Sequence, residues 1–164
     1  MNHLVKIGLM SMVVGATMLT AGNMGSYFQQ GMNTEDMPQT RHMRRHNKHK
    51  VVVHVDSNNA SVEKMALNNV ANLQKAWGAE NAEIEVVVYG PGIVMLLEQS
   101  PVYERVLEMA QSEGITFSAC QNTLNKYNST HTDEAVLIDG VEVVPSGAAR
   151  IIELQEQHYG YLRP

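Results

Sequence analysis

Cysteine is all but missing from this chain: its 164 residues include one, Cys120. A lone thiol closes no intrachain disulfide and builds no Cys-rich zinc site, which excludes a stapled mini-domain and a zinc ribbon. Charge is sparse at 18%, proline is held to five residues, and 44% of the chain is hydrophobic. That balance excludes a collagen-like or wholly disordered chain. Long apolar runs are also lacking, and a mean hydropathy of −0.21 excludes a polytopic membrane protein. The length suits about one domain.

The two ends differ in kind. Lys6 precedes an apolar run from Ile7 to Ala21, broken by Gly8, Ser11 and Gly15 and closed by the small residues Thr20, Ala21 and Gly22. At about 15 residues the run is short of the ~20 that a membrane-spanning helix needs. Charged start, apolar centre and small-residue exit predict a signal peptide over 1–22, export to a bacterial periplasm, and no membrane anchor after cleavage. No Cys stands at the end of the apolar run, which argues against a lipoprotein.

Residues 23–49 show neither helical nor strand periodicity and predict a disordered tether rich in Met, His and basic residues. Five Lys or Arg fall within 41–50, whereas 51–164 holds six against fifteen Asp or Glu, a balance of −9. Outside the cytoplasm nucleic acid is not the expected partner, and a solvated linker is the favoured reading of the basic run. His42, His46 and His49, near Met37 and Met43, are candidate copper ligands, since imidazole and thioether suit that metal. The interleaved cations oppose it.

From residue 50 to 164 the texture becomes that of a folded domain. Val51–Asp56 reads as a buried strand, and Ser61–Trp77 as a helix with Val62, Met65, Ala66, Asn69, Val70, Leu73 and Trp77 on one face. Ile84–Tyr89 is a second strand, followed by Gly90-Pro91-Gly92 and a short apolar helix over Ile93–Leu97. A helix over Val102–Ser112 turns Val106, Leu107 and Ala110 inward. Ile115–Ala119 is a third strand, with Cys120 at its carboxyl end and a short helix opening near Asn122 or Thr123. A polar loop is expected over Asn125–Asp133, and Val141–Val144 is the last strand. Pro145-Ser146-Gly147 then opens a helix with Ile151, Ile152 and Leu154 on one face. Strands alternating with helices predict an α/β fold, a three-layer α/β/α sandwich on a central, mainly parallel sheet.

In such sheets chemistry gathers beyond the carboxyl ends of the strands. Asn58, Gly90, Gly92, Cys120, Asn122, Thr123, Ser146 and Gly147 fall there, and only Cys120 is a strong nucleophile. A thiol just before a helix start is disposed toward thiolate by the unpaired N–H groups and the helix dipole. A buried, purely packing thiol fits its position equally well. Gly90-Pro91-Gly92 lacks the third glycine of a dinucleotide fingerprint, Met95 standing in its place, and Pro91 removes an N–H. His54, His131 and His158 are not placed by spacing as partners of a Cys/His hydrolase. No cofactor is called for.

Several segments together resemble the DsrE/DsrF-like family, in its YchN-like branch. They are His54-Val55-Asp56-Ser57, Ala66–Leu73, Tyr89–Ile93, Phe117–Leu124 with its Cys-x-Asn-Thr, Val144–Gly147 and the Gly160-Tyr161 tail. The resemblance implies an α/β/α fold, homo-oligomers (trimers or hexamers), and sulfur relay as a persulfide on a Cys, here Cys120, between donor and acceptor proteins. Asn122 and Thr123 would hold the loop. From their place at the strand ends Asn58, Gly90, Gly92, Asn122, Thr123, Ser146 and Gly147 are the residues expected on the substrate side. Two other functions stay open. One is a non-catalytic small-molecule-binding or assembly module, with Tyr159 and Tyr161 bridging neighbours. The other is periplasmic copper handling through the tether.

Overall fold

The computed structural model describes residues 48–164. The signal-like segment and the tether up to residue 47, with His42 and His46, lie outside the described residues. Five parallel strands form one sheet: β1 (His49–Val55), β2 (Ala82–Val88), β3 (Ile115–Cys120), β4 (Val141–Val144) and β5 (Gly160–Leu162), in the order β4-β3-β2-β1-β5. The helices are α1 (Ala60–Trp77), α2 (Tyr103–Ala110), α3 (Gln121–Thr130) and α4 (Gly147–Glu156), with a 3-10 segment over Gly90–Leu96. Among the described residues no helix is long and apolar enough to cross a membrane.

Strand periodicity sorts side chains onto two unequal faces. Val51, Val53 and Val55 of β1, Ile84, Val86 and Val88 of β2, and Ile115, Phe117 and Ala119 of β3 face one way. There they meet Ala66, Leu67 and Val70 of α1, Val106 and Met109 of α2, and Leu124 of α3. Each large side chain buried in this layer contributes roughly 1.5–3 kcal/mol. The other face carries a smaller cluster, Val52 and Val87 against Ile151 and Leu154 of α4. It is only half apolar. Glu85, 5% exposed, accepts from Ser118 Oγ at 2.7 Å and takes two bonds from Arg150 of α4, at 2.8 and 2.7 Å.

The structure corrects several sequence expectations. His49 belongs to β1 and stacks on Trp77 with ring centroids 4.8 Å apart, so it is part of the domain and not of the tether. Met65 and Ile152 are 45% and 59% exposed, while Leu67 and Glu63 are buried in α1. Helical spacing tolerates a shift of one position in which residue faces inward, and the sheet decides. The expected loop after Asn125 is helical to Thr130, because burying Leu124 and Tyr127 holds three turns that have no apolar stripe. β4 is not the last strand: Gly160–Leu162 pairs with Val51–Val53 as β5. The tail therefore packs on its own chain. The Tyr159 hydroxyl donates to Glu83 of the same chain.

Candidate functional site

Cys120 ends β3 on the half-polar face and is itself the N-terminal cap position of α3. Across from it Cys120 pairs in register with Val144, and two residues later Ser146 caps α4, its Oγ accepting from the Ala149 N–H at 3.3 Å. Two ten-residue helices thus begin at one sulfur. Burial, with 5% of the residue exposed, pushes the Cys120 thiol up. Against it act hydrogen bonds from the Gly147 N–H, the Thr123 hydroxyl, and the Thr123 and Asn122 N–H groups, and the thiol ends below its ordinary value.

Each donor is placed by a local feature. Thr123 Oγ1 accepts from the Gly90 N–H at 3.0 Å, which leaves its own proton for the sulfur. Gly147 must be glycine: a Cβ there would stand 2.8 Å from Tyr89 Cδ1 and 3.2 Å from Cys120 Cβ. Without one, the first N–H of α4 reaches the thiol. Gly92 has a different duty. Its missing Cβ would lie 2.9 Å from the Val55 carbonyl oxygen, so it packs the turn after β2 against the end of β1.

Beside the thiol a row of polar rings crosses the sheet. Tyr89 stacks on His54 with centroids 4.7 Å apart, and His54 Nδ1 is 2.7 Å from the Tyr161 hydroxyl. Burial holds His54 below the ordinary imidazole value, with Asp56 acting upward and Arg163 downward. Its Nε2 is buried without a partner, 3.8 Å from the Asp56 carboxylate. Asp56 is instead engaged by Arg163 at 2.8 and 3.0 Å. Burial and the charge of Asp56 keep the Tyr89 phenol protonated above its usual range. None of the three expected histidines is among the groups bonded to the Cys120 thiol.

On the far side of Thr123, between α3 and the 3-10 segment, lies a cavity of about 440 Å³. Asn58, Gly90, Asn122 and Thr123, four of the residues expected on the substrate side, line it; Gly92, Ser146 and Gly147 do not. The structure thus divides the expected set, with Asn122 and Thr123 serving both the thiol and the cavity. Sequence reasoning missed Lys126, Tyr127 and Thr130, which also line the cavity. With Thr123 they recur at three- and four-residue steps, a signal that is visible once the segment is read as helix. It missed Tyr89 as well, a strand-end aromatic with no pattern of its own. Among the described residues no group of three His, Cys, Asp or Glu is placed to hold a metal ion.

A family model described as the DsrE/DsrF-like family matches residues 49–164. Among solved structures the chain is similar to MTH1491 from Methanobacterium thermoautotrophicum, a protein of unknown function. They share 34% identity at a TM-score of 0.63, over 71% of this chain and 100% of that one. BT1422 from Bacteroides thetaiotaomicron, also of unknown function, shows 19% identity and a TM-score of 0.53 over 71% and 95%. The ychN protein of E. coli shows 14% and 0.55 over 70% and 98%. The last two carry the fold alone. Comparison with curated proteins produced no match. The family model spans the whole described domain but for Lys48, and the chain belongs to the DsrE/DsrF-like family.

Proposed function

We propose that this protein is a single-cysteine sulfur carrier, with Cys120 as the thiol that is loaded and unloaded. The observation that carries the reading is the convergence of three backbone N–H groups and one hydroxyl on the chain's sole thiol. Such donors stabilise an anionic sulfur, which is the nucleophilic form. Loading is a thiol–disulfide exchange: the Cys120 thiolate attacks the outer sulfur of a sulfane donor R–S–SH, that S–S bond breaks, and R–S⁻ departs. The product, Cys120–S–SH, is a persulfide. An acceptor nucleophile then attacks the outer sulfur and releases the Cys120 thiolate, so no external oxidant or reductant is consumed. Membership of the DsrE/DsrF-like family supports this reading.

The carrier is further proposed to act outside the cytoplasm, given the signal-like residues 1–22, and as a homo-oligomer, as the family resemblance implies. Intact-mass spectrometry before and after incubation with a sulfane donor tests the central claim. A gain of about 32 Da, one sulfur atom, that reductant removes and that Cys120→Ser abolishes is expected. No gain, or a gain that survives Cys120→Ser, would overturn it.

A further inference from the structure

The cavity between α3 and the 3-10 segment is built for a ligand of its own. It opens beyond the carboxyl ends of β1, β2 and β3, where open α/β sheets hold their ligands. At about 440 Å³ it is the size of small-molecule sites. Its chemistry is two-sided. The 3-10 segment contributes Pro91, Ile93 and Val94, while α3 contributes Tyr127, with His131 just past its end. Those two rings stack face to face, with centroids 3.9 Å apart and planes 6° from parallel, and hold each other in place at the cavity's edge.

The polar lining is uncommitted. The side-chain heads of Asn58, Asn122 and Lys126 have no hydrogen-bond partner among the described residues, although they line one cavity. Lys126 is exposed, and its ammonium forms none of the ion pairs of the described residues. The three arginines of the domain are by contrast held: Arg105 by Asn68, Arg150 by Glu85 and Arg163 by Asp56. Lys64 and Lys75 are likewise outside those ion pairs, but neither lines this cavity. On a body whose balance from 51 to 164 is −9, a cation beside the Tyr127–His131 stack makes a place for one negative charge.

We propose that this cavity binds a small aromatic acid, its apolar body against Ile93, Val94 and the Tyr127–His131 pair and its carboxylate on Lys126, with Asn58 and Asn122 donating beside it. Cys120 does not line the cavity, so the site stands whether or not that thiol carries sulfur.

Titration of the intact protein with 2-naphthoate, followed by calorimetry, tests the assignment, with uncharged 2-naphthamide as the control. Saturable naphthoate binding is expected, weakened about fivefold or more by Lys126→Ala and by added salt. Naphthamide should bind Lys126→Ala and the unaltered protein alike, His131→Ala should weaken both compounds, and Cys120→Ser should change nothing. Lys126 and His131 are exposed, so neither replacement threatens the fold. Absence of saturation in the millimolar range, or affinities indifferent to both Lys126→Ala and His131→Ala, would overturn the proposal.

Discussion

Thr123 does two things at once: it accepts the Gly90 N–H and donates to the Cys120 sulfur. A valine of similar shape keeps the packing and loses both bonds. A hydrogen bond to a charged group contributes roughly 1.5–3 kcal/mol, against 1.4 kcal/mol for each factor of ten. The lowered Cys120 value means that alkylation by iodoacetamide reaches its plateau at a lower pH than for an ordinary thiol. In Thr123→Val the midpoint of that pH profile should move up, and the rate at neutral pH should fall by about tenfold. Thr123→Ser should restore it, since the hydroxyl returns. An unchanged profile in Thr123→Val would mean that the backbone donors alone hold the thiolate.

At the scale of elements, the informative piece is β5. Its three residues pair with β1, and Tyr161 gives the His54 ring, whose Nε2 is unbonded, a hydrogen-bond partner at Nδ1. Tyr161→Phe keeps the ring and leaves His54 with both nitrogens unbonded, a penalty of about 1–3 kcal/mol. Urea unfolding should show that loss as a lower midpoint at unchanged slope. Burial holds the folded His54 below its ordinary value, so the sign of the pH dependence follows. Its contribution is complete above the ordinary imidazole value and is lost as pH falls toward the folded one. Acid titration of the unaltered protein should therefore cost stability in that window.

For the molecule as a whole, the joint between α4 and the sheet is the place to press. Its apolar cluster is small, and the Glu85–Arg150 bridge with Ser118 completes it. Arg150→Met would leave the nearly buried Glu85 carboxylate facing only Ser118. Breaking a buried pair costs about 3–5 kcal/mol, and the partial exposure of Arg150 reduces this to about 2 kcal/mol. Thermal unfolding should show a drop of several degrees. Because α4 also supplies the Gly147 N–H, alkylation of Cys120 should slow in the same variant. A drop in melting temperature with unaltered thiol reactivity would show that the helix start is anchored independently of its body.

Much of this was legible in the amino-acid order. Val51–Val55, Ile84–Val88 and Ile115–Ala119 are runs that suit a doubly covered parallel sheet. Cys120 at a strand end before a helix was readable as a candidate thiolate and equally as a packing thiol. Local order could not decide α3, whose turns are held by two contacts with the core, or β5, which exists because β1 offers it an edge. Nor could it show that Gly147 and Thr123, far apart in the chain, meet at one sulfur while Gly90 holds the Thr123 hydroxyl, or that Lys126 and Pro91 line one cavity. Periodicity records which way a side chain points within its own element. Which groups then share a site depends on sheet order and on how the helices pack, and those are settled by contacts between segments that the chain holds far apart.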